Sequence, residues 1–277
     1  MISIVMAYYN RKGLLDKTLE SIDKSRVKDY ELIIVDDASD EPLVCECARV
    51  FRVEPEDKWY HNPCIPYNFG FKQAVGDVVI IQNPECYHVG DVLAYVEENI
   101  RPRLYISFGC YSISKEETNA FARGMFPTIA DRTFSAQSRN GWYNHSIHRP
   151  KAYHFCTAIT KTDLDKIGGF DERYANGVAF DDDALVRSIR QEQIEIQIIN
   201  DPYVIHQYHH HFTYEDPKIW KPLHTINQNI FNGRDGVSMR GDGVSRRRGG
   251  VSRRRDEMAR RMNEALQRRA GRNPRHR

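Results

Sequence analysis

The sequence has no run of about 18 apolar residues, so nothing in it reads as a membrane-spanning helix. Its start, MISIVMAYYNRKG, lacks the basic opening and small-residue cleavage site of a signal peptide. Zinc-type C-x-x-C pairs are missing too. The six cysteines, Cys45, Cys47, Cys64, Cys86, Cys110 and Cys156, are scattered and read as reduced, mostly buried thiols. Together these absences lead us to expect a cytoplasmic protein, free in solution or peripheral to a membrane.

What is present is a 277-residue chain, 40% apolar, long enough to fill a substantial core. Its net charge of +2 hides an asymmetry. From Met239 to Arg277 fourteen arginines face Asp242, Asp256, Glu257 and Glu264, a net +10, which leaves −8 for the rest. That tail repeats GVS at Gly236, Gly243 and Gly250 and has too little apolar content to build a core. It reads as disordered to about Arg254, then as an isolated helix ending near Gly271. Its composition fits either a solvated tail or electrostatic contact with nucleic acid or another anionic surface.

Upstream, strand and helix patterns alternate. ISIVMAYY, YELIIVDD, GDVVIIQNP and RLYISFGCYSI read as buried strands; LLDKTLESIDKS, IPYNFGFKQAV and residues 91–99 read as helices. EPLVCECARV reads as a further short helix, and Lys115–Ala152 as a loop or lid. AYHFCTAITKTDLDKIGGFDERY resumes with a strand, a helix and a Gly-Gly turn, and IQIINDPYVIHQYHHH closes with a strand or two. Short apolar strands between helices predict an α/β fold with a mostly parallel sheet covered on both faces. Ligands in such sheets bind at the carboxyl ends of the strands. Here those ends carry YYNR, DDAS and NPEC.

Four constellations hold the polar chemistry. Asp36 and Asp37 follow an apolar strand, where they could meet a base or ribose or simply shape a turn. Asn83 and Glu85 flank Pro84 at another strand end, and a carboxylate there can hold Mg²⁺ or Mn²⁺ beside a diphosphate. His206, His209, His210 and His211 could supply metal ligands, His209 and His211 sharing a face if the strand continues. Asp181, Asp182 and Asp183 precede a helical ALVRSIR. A helix N-terminus tolerates one or two such charges, and a remaining carboxylate could serve as a general base.

In order and spacing, SIVMAYYNR, LIIVDDASD, YNFGFKQAVGDVVIIQNPE, GGFDE and the acidic cluster resemble family 2 glycosyltransferases over residues 1–212. That resemblance implies a GT-A fold and inverting transfer of a sugar from a nucleotide-diphosphate sugar, by default a UDP-sugar, to a hydroxyl of a glycan or other acceptor. It implies a glycosyltransferase domain over 1–215, an extension over 216–235 packing on it, and the basic tail over 236–277. Tyr8, Tyr9, Asn10, Asp36, Asp37, Asn68 and Asn83 would bind the nucleotide diphosphate. NPE stands where relatives carry a D-x-D-like motif, making Glu85 the metal candidate, with His206 as its partner, His209 as the fallback and Mn²⁺ or Mg²⁺ as the ion. Aligned on Arg187, FDDDALVR makes Asp181 the base; a shifted alignment promotes Asp182. Gly169, Phe170 and Asp171 match the turn facing the acceptor, and Trp142 could stack on a sugar. Three rivals remain: a nucleotidyltransferase, which usually has a more glycine-rich N-terminal loop than AYYNRKG; a non-catalytic nucleotide-sugar or glycan-binding protein; and a nucleic-acid binder working through its tail.

Overall fold

The computed structural model describes residues 1–210, 216–234, 257, 260 and 261. His211 and nearly all of the basic tail lie outside them, as do the expectations placed there.

Among the described residues nine strands form one sheet. They are β1 (Ile2–Tyr8), β2 (Tyr30–Asp37), β3 (Arg49–Val53), β4 (Val78–Gln82), β5 (Cys86–Val89), β6 (Leu104–Ser112), β7 (Gly141–Asn144), β8 (Cys156–Thr160) and β9 (Glu195–His206). The order is β3-β2-β1-β4-β8-β6-β9-β5, with β7 beside β6. The β3-β2-β1-β4 half is parallel. Beyond it β8 runs antiparallel to both β4 and β6, β9 runs parallel to β6, and β5 is antiparallel to β9.

Among residues 1–234 as described, seven α-helices accompany the sheet: α1 (Lys12–Asp23), α2 (Cys64–Gln73), α3 (Val92–Asn99), α4 (Lys115–Ala122), α5 (Lys161–Ile167), α6 (Asp181–Gln191) and α7 (Pro217–Phe231). Side chains alternate across each strand, so β1 feeds two cores. Val5 joins Ile33, Ile65, Phe71, Leu164 and Leu185 on the face covered by α2, α5 and α6. Ile4 and Met6 join Leu15, Ile22, Leu93 and Val96 on the face covered by α1 and α3. Burial on both faces is why these strands read as continuous apolar runs.

Two stretches depart from the sequence reading. EPLVCECARV is not helical: it is an irregular loop leading into β3. The apolar residues Val50, Phe51 and Val53 were better suited to a strand, where β-branched and aromatic side chains pack well. The Cys45–Cys47 pair therefore sits in a turn, with the sulfurs 3.3 Å apart; all six cysteines are free and four are buried. The presumed loop of 115–152 contains α4 and β7, and its apolar residues build a third core around Tyr111, Phe121, Trp142 and Ile205.

Helix α7 packs on the 3-10 turn Glu172–Asn176 and the segment leading to α6. Its Asn227, 0% exposed, donates from Nδ2 to Tyr174 O (3.1 Å) and Ala179 O (2.8 Å). Gly177 makes the approach possible: a Cβ there would lie 2.2 Å from Asn227 Oδ1 and 2.6 Å from Leu223 O. Gly177→Ala should therefore cost about 1–3 kcal/mol by forcing this seam apart. Thermal unfolding measures it, and an unchanged midpoint would contradict the packing described.

Candidate active site

Strand register assembles the site. The antiparallel pairing of Gln82 with Cys156 sets Asn83 beside Phe155, whose carbonyl accepts from Asn83 N at 3.0 Å. The pairing of Cys86 with His206 sets Glu85 at the end of β9, where Gln207 N donates to Glu85 O at 3.1 Å. Together these registers put Glu85, His154 and His206 around the carboxyl ends of β1 and β4.

Glu85 is 2% exposed. Its carboxylate meets Arg11 Nη1 at 2.8 Å, His206 Nε2 at 3.3 Å and His209 Nε2 at 3.4 Å. Burial alone would push its pKa up. The charges of Arg11 and His209 and the hydrogen bonds of both histidines outweigh that and hold it well below the usual carboxylate range. Burial in turn lowers the pKa of His209 despite the nearby carboxylate. The Glu85, His206 and His209 donor atoms lie within 4.8 Å of one another, and His206 Nδ1 is buried without a hydrogen-bond partner. One carboxylate and two imidazoles fit a divalent transition-metal ion, Mn²⁺ among them. His209, the fallback in the sequence reading, belongs to this group as fully as His206; it lies past the end of β9, so the strand-face pairing with His211 does not apply.

A second cluster forms at the start of α6. Ala179 and Phe180 both adopt left-handed backbone, φ 62° and 66°, and turn the chain abruptly into the helix. The Asp181, Asp182 and His154 donor atoms lie within 4.8 Å of one another. Asp182 accepts from His154 through both its Nδ1 and its backbone N. Asp183 accepts from Tyr153 OH at 3.0 Å. Burial, then the charge of Asp182, push the Asp181 carboxyl up to about 6. Burial opposes ionisation of Asp182 as well, but the His154 charge and hydrogen bonds prevail and lower its pKa. The aspartates have thus separated into an ion-paired one and one poised to take up a proton near neutrality.

Tyr67 and Asn83 link the clusters. Asn83 Nδ2 donates to Glu85 Oε1 (3.3 Å), Tyr67 OH donates to Asn83 Oδ1 (3.0 Å), and the Tyr67 ring meets that of His154 edge-on at 5.3 Å.

At the β1 and β2 ends, Asp37 accepts from Tyr60 OH (2.6 Å) and Lys58 Nζ (2.9 Å), and Lys58 lies 4.6 Å over the Tyr9 ring. A carboxylate offers about four acceptor sites, so Asp37 keeps capacity for a ligand N–H or O–H. Exposed Asn10 ties this rim to the next loop through reciprocal 2.9 Å bonds with Asp40.

Several expected ligand contacts are corrected by burial. Asp36 is 0% exposed and spent on Arg52 Nη1 (2.8 Å), Ser39 N (3.1 Å) and Leu43 N (3.0 Å); it folds the loop and cannot reach a nucleotide. Tyr8 is buried in the α1-side core, its hydroxyl accepting from Arg11 N. Asn68 exchanges 2.8 Å bonds with the N–H and C=O of Phe170, clamping the turn rather than facing a diphosphate. Gly169 permits that clamp, with φ +70° and room for no Cβ beside Asn68 Oδ1. Phe170 is itself buried against Tyr67, Phe71 and His154. Trp142, 4% exposed, lies between Tyr111, His145 and Tyr203 and offers no platform to a sugar. Asp171 remains partly exposed, paired with Arg173.

The sequence reading missed Arg11, His154, Lys58 and Tyr60. Arg11 was visible only as a polar residue at a strand end, and His154 lay in an aromatic-rich stretch with no periodic signal.

Comparison with known proteins agrees with this architecture. An uncharacterised glycosyltransferase of Haemophilus influenzae is 30% identical over 104 residues, 36% of this chain and 35% of that protein, so the match spans about a third of the relative's length. The mannosyltransferase PcManGT of Pyrobaculum calidifontis, solved with GDP-Man and Mn²⁺, superposes with a TM-score of 0.51 at 15% identity, covering 86% of this chain and 65% of that one. GalNAc-T7, solved with UDP, GalNAc and Mn²⁺, superposes at 0.59 and 13% identity, covering 95% and 55%. At such identities the likeness is one of fold, and that fold is GT-A. The Glycosyl transferase family 2 model matches residues 3–166, more than half of the sequence, and the chain belongs to that family.

Proposed function

We propose that the protein is an inverting glycosyltransferase that moves a sugar, a hexose by default, from a nucleotide-diphosphate donor to an acceptor hydroxyl. The observation that carries this reading is the separation of Asp181 from the Asp182–His154 pair, with the Glu85–His206–His209 group linked to it through Tyr67 and Asn83. The sugars and nucleotides bound by PcManGT and GalNAc-T7 support a nucleotide-sugar donor, with UDP as the default.

In the chain's own chemistry, Tyr9 and Asp37 receive the base and Asn10 shapes the rim. Asn83 orients Glu85. Asp181 accepts the proton of the acceptor hydroxyl as that oxygen bonds to the anomeric carbon. The bond from that carbon to the diphosphate breaks, its electron pair leaving with the nucleotide diphosphate. Attack from the face opposite the leaving group inverts the configuration. Asp182 and His154 hold each other, so the charge beside Asp181 is balanced while it works. Glu85, His206 and His209 would hold a Mn²⁺ or Mg²⁺ ion, which supplies positive charge to the departing diphosphate. Asp171 and the Gly169–Phe170 turn flank the acceptor side.

Nucleotide release from a panel of UDP-, GDP- and dTDP-sugars with acceptor mixtures tests the reading. Asp181→Asn should lower turnover by about 10²–10⁴-fold. If the loss instead follows Asp182→Asn and spares Asp181→Asn, the base is Asp182. A chain that binds a nucleotide sugar but releases nothing would be a binding protein.

The base must be ionised, so kcat/KM should fall as pH drops through about 6, where Asp181 takes up its proton. A rate flat between pH 5 and 8 would remove Asp181 from that role.

Chelation should stop turnover and Mn²⁺ restore it. Mn²⁺ binding, followed by electron paramagnetic resonance, should weaken at least about tenfold in His209→Ala, a loss of at least about 1.4 kcal/mol. Unaltered binding would place the ion elsewhere.

A further inference from the structure

Beside Asp183, the last of the three aspartates, lies an open groove of about 510 Å³. One wall is a single face of α6: Asp183, Val186, Arg187 and Arg190, spaced three and four residues apart. Lys151 and Phe231 of α7 close it from the other sides. Three cations thus face one carboxylate, and that carboxylate already accepts from Tyr153 OH at 3.0 Å. Lys151 and Arg190 are exposed, and no ion pair among the described residues engages either. Arg187 is held flat, its guanidinium 3.6 Å from the Phe231 ring centre and its Nη1 donating to Phe231 O at 3.2 Å. A guanidinium fixed this way keeps further N–H donors in a planar fork that suits phosphate or carboxylate oxygens.

A cationic groove runs against the charge of its surroundings, since the chain before Met239 carries a net −8. An anion would be repelled by most of that body and held here. Helix-dipole complementation accounts for Arg190 alone, in the last turn of α6, but not for Lys151 on another segment. Nor is this the donor diphosphate pocket, because neither Tyr9, Asp37, Glu85 nor His206 lines it. It shares Asp183 with the run of aspartates, two residues past Asp181 in the chain.

We propose that this groove is an acceptor subsite for an anionic group, a phosphate or a carboxylate, on the molecule whose hydroxyl is glycosylated. The inference rests on the reading of Asp181 as the base only for the word acceptor; the anion site itself stands on the groove.

Isothermal titration of the full chain with glycerol 3-phosphate, glucuronate and neutral glycerol, at low ionic strength, tests it. The wild type should bind at least one of the anions at least tenfold more tightly than glycerol, the better one identifying phosphate or carboxylate. Lys151→Gln combined with Arg190→Gln should weaken that binding at least tenfold. Both positions are exposed, and circular dichroism verifies that the double variant folds. Asp181→Asn should retain the binding while losing transfer. Binding of neither anion, equal binding of glycerol, or unaltered binding in the double variant would overturn the proposal. An Asp181→Asn variant that still transfers sugar would refute the base assignment and leave the groove standing.

Discussion

A carboxylate buried as deeply as Glu85 stays ionised only if charge and hydrogen bonds replace the water it has lost. Its replacements come from separate parts of the chain: Arg11 just past β1, Asn83 just past β4, His206 at the end of β9 and His209 beyond it. Satisfying this one group therefore fixes the spacing of three strand ends. The register of β5 against β9 and of β4 against β8 serves the same end, and His154 arrives beside the aspartates as a consequence. Charge then sorts the aspartates: with His154 taken by Asp182, burial acts on Asp181 without an equal opposing charge.

The family assignment and the placement of polar groups at strand ends agree with this picture. A GT-A chain is recognised by its sheet, but its chemistry depends on few side chains. At the ends of β1 and β2, Tyr9 and Asn10 stay accessible and Asp37 keeps a small exposed fraction, whereas the neighbouring Tyr8 and Asp36 are spent on packing and internal hydrogen bonds. Adjacent residues on a strand point to opposite sides, and a motif two residues long cannot say which member reaches the ligand.

That limit describes how much could be read in advance. The parallel half of the sheet was legible because β1, β2 and β4 are buried on both faces and carry unbroken apolar runs. A helix expected over 41–50 hid the start of β3, whose five residues are too few for a period to declare itself, and four-residue β5 passed unnoticed. Glu85, His206 and the aspartates were legible as residue types that burial makes costly. Their partners were not, because Arg11 and Glu85 lie 74 positions apart and only the fold brings them together. Trp142 misled because an aromatic suits a sugar platform and a core equally well; burial decided it.

The bond from Asn227 to Ala179 O has a reach beyond packing. Ala179 and Phe180 carry the left-handed kink that sets Asp181, and one amide group holds that kink, the Tyr174 carbonyl and α7 together. The helix and the approach to the aspartates then open and close as one cooperative unit of local unfolding. Loosening at α7 would be felt at Asp181, which makes this helix a governor of the acid cluster and not simply an appendage to the domain.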